Sequence, residues 1–214
     1  MQSSRLPAKI FFSFFGERVI NRIIRISKKI TEAKNIYILS GSKKLNSALS
    51  LVVKKKNIRI FYDDEQNVYK RYKNFLSSLK KKPKYIIRIT SDNYLIQPLV
   101  IKKMYELCKT KDFDYCYVRP LSHYSGEIIK SSLFLKKKTS LQAKEHVTWD
   151  FRNAKNIKII SYAENFLGID HKKYFTLDTI SDLYKMTLLE FKFPQLKQLN
   201  CLECIKKIQK NWKF

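Results

Sequence analysis

Between Gly16 and Ile30 the chain sets Val19, Ile20, Ile23, Ile24 and Ile30 at helical spacing, with basic residues on the other face, which predicts an amphipathic helix. NIYILSG (35–41) is short and β-prone and ends at Gly41. LNSALSLVVKKK (45–56) reads as a helix and NIRIFYDD (57–64) as a strand. In EQNVYKRYKNFLSSLKKK (65–82), Val68, Tyr69, Tyr72, Phe75 and Leu76 share one helical face. KYIIRIT (84–90) is an almost unbroken apolar run of the kind buried in parallel sheets. Pro98 opens the next helix, and FDYCYVRP (113–120) is a further strand.

Helix and strand therefore alternate, the signature of an α/β domain with a mostly parallel sheet. Beyond residue 120 the pattern loosens. HYSGEIIK and NIKIISY read as strands, KEHVTWDFRN as a short helix, and LDTISDLYKMTLLEF as a longer helix started by Asp178 or Thr179. Residues 195–214 read as a basic terminal helix. No repeat or linker divides the chain, so residues 1–214 are expected to form one domain.

Charge changes this picture less than its size suggests. The net charge is +26, yet 44% of residues are hydrophobic, which excludes a disordered chain. The lysines are spread along the whole sequence, mixed with Ile, Asn and Tyr, and no nucleic-acid motif accompanies them. A nucleic-acid-binding module is thus the weakest of the readings, and a polyanionic small substrate gains equally from a positive field. Cys201 and Cys204 form a C-x-x-C with no second pair to complete a metal site; with Cys108 and Cys116 they read as reduced cytosolic thiols. No run approaches the ~20 apolar residues of a membrane span. IFFSFF is too short for a secretory leader, so a cytoplasmic protein is expected.

With four glycines the chain has neither a dinucleotide fingerprint nor a Walker loop. Candidate chemistry therefore falls to polar groups at the carboxyl ends of strands, where open α/β sheets bind ligands. Asp92 follows YIIRIT with only Ser91 between; a carboxylate there suits Mg²⁺ bound together with substrate phosphates, or simply caps a turn. Asp178 opens a helix and is either its cap or a second acidic ligand. Arg5 and Lys9, in a loop fixed by Pro7, can hold phosphates. His146 reads as a ligand, a base or a satisfied helix residue.

Five segments, in order, carry a resemblance. SSRLPAK resembles SxRLPGK, DDEQNVYKRY resembles an acidic DVLxRY segment, and RITSDNYLIQP resembles RITGDxPLIDP. KEHVTWDFRN resembles REHVTPYIRN, and FTLDTISDL resembles WTLDTPEDL. Together they are similar to the cytidylyltransferases that make CMP-activated sugars, especially the spore coat polysaccharide branch. The resemblance implies a nucleotide-diphospho-sugar transferase type three-layer α/β/α fold. It also implies Mg²⁺-dependent transfer of CMP from CTP to a sugar, a sugar acid or related sugar, with release of pyrophosphate. Arg5 and Lys9, with Ser3 and Ser4, match the triphosphate loop; Asp92 and Asp178 match the metal-binding positions, beside Ser91. Ser40, Gly41 and Ser42 end the strand where the base lies, Arg71 matches the arginine of the acidic segment, and Glu145 and His146 lie on the sugar side. A homodimer contact through the basic tail helix is also expected.

The sequence departs from the family pattern at Ala8 and Ser91, which stand where glycines allow close approach to phosphate. Met1 falls just after the arginine that ends the family's first strand, so an in-frame apolar segment upstream is expected. Two other readings remain: a glycosyltransferase of related fold using Asp92 as metal anchor, and a non-catalytic relative.

Overall fold

The computed structural model describes residues 6–54, 56–118, 124–136, 139–161, 176–194, 206 and 210. Ser3, Ser4 and Arg5 lie outside them, as do Cys201, Cys204 and the predicted tail helix except Lys206 and Lys210.

Lys9–Phe11 is one 3-10 turn, entered through Ala8 at φ 54°. A small hairpin follows, β1 (Ser13–Phe14) paired antiparallel with β2 (Glu17–Arg18). Its turn residues, Phe15 and Gly16, have φ of 53° and 72°. That pair of positive angles is what a two-residue hairpin turn demands. The predicted first helix begins only after it, as α1 (Val19–Lys28).

β3 (Tyr37–Ser40) pairs in parallel with β4 (Arg59–Tyr62). The connecting helix is split into α2 (Lys43–Asn46) and α3 (Ala48–Lys54). The split follows Asn46, whose side-chain amide is engaged by Ser42 O and Glu65 Oε2, each at 2.9 Å. α4 (Val68–Ser78) starts three residues later than the pattern predicts. Asp64 Oδ1 accepts the Gln66 and Asn67 N–H groups at 3.0 and 2.9 Å, and Asn67 then caps the helix through Lys70 N–H.

The second sheet has the order β5–β7–β6–β8, built from β5 (Tyr85–Arg88), β6 (Tyr115–Tyr117), β7 (Glu127–Lys130) and β8 (Ile159–Ser161). α5 (Pro98–Lys111) connects β5 to β6, and β6 runs parallel to β8. β7 runs antiparallel to both neighbours. Only residues 118–126 separate β6 from β7, too few for the crossover a parallel pair needs. In this α/β fold the β3–β4 sheet is thus parallel, and the second sheet keeps the parallel β6–β8 pair while β7 enters it antiparallel. α6 (Ser131–Lys136) and α7 (Leu141–Glu145) follow, then α8 (Trp149–Arg152), so the predicted KEHVTWDFRN helix is really two pieces. α9 (Ile180–Lys192) comes last.

Two helices bridge the sheets. α1 lays Ile20 and Ile24 against Ile38 and Ile60 of β3 and β4, while Ile23 and Ile26 join Ile87 of β5 in a second cluster. α4 places Tyr69, Phe75 and Leu76 in one cluster with Tyr37, Leu39 and Phe61 of the first sheet and Ile86 and Ile129 of the second. Burial of these side chains, worth about 1.5–3 kcal/mol each, joins the halves. Among the described residues, β3 pairs only with β4 and β5 only with β7. Cys108 and Cys116 are free and buried. No described helix is long and apolar enough to cross a membrane.

Candidate active site

β5 ends at Arg88 and the chain runs through Thr90 and Ser91 to Asp92. A tight turn aims this carboxylate: Asn93 donates from its amide to Thr90 Oγ1 at 2.6 Å and from its backbone N–H to Thr90 O at 3.3 Å. Asp92 O accepts Leu177 N–H at 2.9 Å, which fastens the entry to α9 against the end of β5. α9 is opened by a capping box, in which Thr179 Oγ1 accepts Asp182 N–H and Asp182 Oδ2 accepts Thr179 N–H. Thr179 is therefore the cap, and the Asp178 carboxylate is left for another task.

That task is shared with Lys9. Its Nζ lies 2.6 Å from Asp178 Oδ1 and 3.4 Å from Asp92 Oδ2, all three side chains being partly buried. The fold thus gathers a cation from the first turn and carboxylates from two distant strand and helix ends. The other Asp92 oxygen, Oδ1, is buried with no hydrogen-bond partner among the described residues. In hard, oxygen-seeking chemistry this is an offered ligand atom.

Beside Asp92 lies a cleft of about 140 Å³ lined by Arg88, Thr90, Asp92, Asn93, Gly126, Glu127 and Arg152. Its floor is a charge network. Glu127 Oε2 accepts from Arg88 at 2.6 Å, and Oε1 accepts from Tyr115, Thr148 and Arg152. Burial alone would raise the Glu127 pKa, but the Arg88 and Arg152 guanidiniums and the Tyr115 hydroxyl outweigh it and bring the value down to about 2. Burial, reinforced by Glu127, pushes the Tyr115 hydroxyl well above its ordinary range.

Ser40, Gly41 and Ser42 form a separate nest at the end of β3. Glu65 Oε2 accepts Ser42 N–H at 2.7 Å and fills the space a side chain at Gly41 would need, 2.0 Å from an added Cβ. Arg71 turns onto its own loop, donating to Asp64 O at 2.7 Å and Glu65 O at 3.1 Å. Glu145 and His146 are exposed at the end of α7. Their segment reaches the cleft instead through Arg152, while Thr148 donates to Glu127. Of the predicted residues, then, Lys9, Asp92 and Asp178 meet at one point, with Ser91 in the adjoining chain.

Residues 1–208 match the family model described as cytidylyltransferase. The chain belongs to the cytidylyltransferase family. This cytidylyltransferase is 25% identical over 224 residues to the spore coat polysaccharide biosynthesis protein SpsF of Bacillus subtilis (strain 168), covering 99% of its own chain and 91% of that protein. Among solved structures it is similar to a cytidylyltransferase from Leptospira borgpetersenii, with TM-score 0.80, 21% identity, and coverage of 100% of this chain and 94% of that one. The structure of CMP:2-keto-3-deoxy-manno-octonic acid synthetase complexed with CTP matches with TM-score 0.62 and 10% identity over 89% and 95% of the two chains. Rv0371c of Mycobacterium tuberculosis, complexed with manganese, matches with TM-score 0.64 and 10% identity over 86% and 93%. These structural likenesses carry the fold.

Sequence reasoning missed Arg88, Glu127, Thr148 and Arg152. A signal was present: Arg88 is the one charge inside YIIRI, and Glu127 opens the apolar GEII. The two are direct partners in the β5–β7 register, so each lone charge meets its opposite across the ladder.

Proposed function

We propose that this protein transfers CMP from CTP to a sugar, releasing pyrophosphate, in the cytoplasmic supply of activated sugar for polysaccharide biosynthesis. The observation that carries the reading is the convergence of Asp92 and Asp178 on Lys9. Nucleotidyl transfer is mostly positioning and charge neutralisation, and this cluster offers both. Lys9 presents its ammonium to phosphate oxygens, a role that the family resemblance also gives Arg5. Asp92 and Asp178 fit a divalent cation, Mg²⁺ in this reading, because both are oxygen donors and Asp92 Oδ1 is buried and unpartnered. Such an ion, when bound, neutralises triphosphate charge and raises the electrophilicity of the α-phosphorus. The sugar hydroxyl attacks that phosphorus. Ser40, Gly41 and Ser42 serve the base, with Arg71 holding the neighbouring loop in shape. Binding of a manganese ion and of CTP in proteins of like fold supports the same reading.

Thermal stabilisation by CTP with Mg²⁺, set against ATP and UTP, tests it, since a ligand that binds only the folded state raises the midpoint by mass action. CTP-selective stabilisation, lost in Asp92→Asn, is expected. Equal stabilisation by all three nucleotides, or none by CTP, would overturn the cytidylyl reading. Release of pyrophosphate on adding a sugar separates it from a glycosyltransferase.

A further inference from the structure

α9 is apolar on two sides. Inward, Met186 and Leu189 are fully buried in a core cluster, with Leu183 and Leu188 packed partly buried against it. Outward, Ile180 is 73% exposed, Tyr184 63% and Phe191 83%, whereas every other described helix exposes at most one large hydrophobic side chain. These three and the exposed Thr187 stand at steps of four, three and four residues, so they fall in one stripe along the helix. A surface helix keeps one such stripe for its core, and α9 already has that face; a second stripe calls for a second occupant.

The chain itself supplies a candidate of matching pattern. α9 stops at Lys192 because Phe193, ahead of Pro194, leaves the helical region at φ -135°. Residues 195–214 come next. In their sequence Cys201, Ile205, Ile208 and Trp212 repeat the spacing of four, three and four. Lys206 and Lys210 fall on the opposite side of the same helical wheel. Both belong to the described residues, and both are helical and exposed, as the outer face of a docked helix must be.

Connection length then sets the register. Residues 193–197 are enough for the turn, since antiparallel helices are joined by about two to five residues. Folding back there sets Cys201 against Phe191 and Ile205 against Thr187. Ile208 then meets Tyr184, and Trp212 meets Ile180, with no stripe position left over. At about 1.5 Å of rise per residue, both stripes run for about 17 Å. A tethered segment also meets the face at an effective concentration on the order of millimolar, ahead of a free second copy.

We propose that residues 198–213 of the same chain cover the outer face of α9 as an antiparallel helix in this register, with Lys206 and Lys210 turned to water. The face is thus an intramolecular docking surface. The tail becomes a brace along the helix whose entry presents Asp178 and its cap, Thr179. The assignment stands apart from the nucleotide reading and does not depend on it.

Disulfide trapping on the full chain tests it, with oxidised glutathione as the oxidant that is reduced as two thiols close to a disulfide. Phe191→Cys in a Cys204→Ser background should bond to Cys201 within one chain tenfold or more faster than Tyr184→Cys does in the same background. Moving the pair, as Tyr184→Cys with Ile208→Cys after Cys201→Ser and Cys204→Ser, should restore the fast bond. Peptide mapping by mass spectrometry names the linked positions, and burial shields Cys108 and Cys116. Equal rates from positions 191 and 184 to Cys201 overturn the proposal. A bond formed chiefly between chains, seen as a dimer without reductant, gives the face to a second copy and overturns it as well. Melting needs no added cysteine: Phe191→Asp and Ile205→Asp should each lower the midpoint by about 3 °C or more, and the double variant no further than the larger single change. A midpoint held within about 1 °C in Phe191→Asp means the face meets only solvent, and the proposal fails.

Discussion

Arg88 and Glu127 face each other across the β5–β7 ladder with guanidinium and carboxylate 2.6 Å apart, and Glu127 is buried to 3% exposure. Removing the carboxylate strands two guanidiniums at once. Glu127→Ala should cost about 3–5 kcal/mol, the usual penalty for breaking a buried pair. Urea unfolding measures it, and a loss under about 1 kcal/mol would show that the network carries little of the fold.

The same residue sets an acid limit. Its folded pKa of about 2 lies below the unfolded value near 4.5. The unfolded chain therefore takes up the proton first as pH falls. Stability from Glu127 is complete above about pH 4.5 and drains away toward pH 2. Urea midpoints of Glu127→Gln and wild type should differ at pH 6 and converge as the pH approaches 2.5; a constant difference would refute the linkage.

Lys9 offers a separation of function from stability. Its pairs with Asp178 and Asp92 are partly exposed, and ion pairs of that kind contribute little to folding. Lys9→Met should leave the midpoint without nucleotide within a few degrees, yet weaken CTP binding tenfold or more. A variant that binds CTP normally would remove Lys9 from the phosphate site.

Thr179 reaches the site through Asp178. Thr179→Ala deletes the cap of α9 and should cost about 1 kcal/mol. It should also reduce the CTP shift, because Asp178 N–H shares the same Asp182 carboxylate. Full CTP affinity alongside the lost stability would confine the cap to a structural role.

Ala8 sits at φ 54°, where a side chain crowds the backbone. Ala8→Gly should stabilise by about 1 kcal/mol, raising Tm by about 2–4 °C for a domain of this size. A lower Tm would mean that the greater freedom of the unfolded glycine outweighs the relieved strain.

Much of this was legible in the chain. The apolar runs around Ile38, Ile60 and Ile87 placed the strands, and Asp92 stood out because it follows the most apolar of them. The convergence of Lys9, Asp92 and Asp178 rested on the family resemblance, since spacing along a chain says nothing of meeting in space. What stayed hidden depends on pairing across strands. The antiparallel β7 and the Arg88–Glu127 contact arise from register, and helical or strand periodicity does not encode register with a partner. Likewise, Asn46 marks the break between α2 and α3 through its bond to Glu65, and Asn67 sets the start of α4 by capping Lys70 N–H, neither of which the apolar periodicity contains.

The junction between the two sheets has a dynamic meaning. Side chains of α1 and α4 span it, and among the described residues no ladder bond crosses from β3 to β5. Hydrophobic contact loosens without the all-or-none rupture of a hydrogen-bonded ladder. The β3–β4 half, with the Ser40–Ser42 nest at its tip, is therefore a unit that can breathe by itself. Its amides should exchange with solvent faster than those of β6 and β7, and a nucleotide resting on both halves would clamp them together.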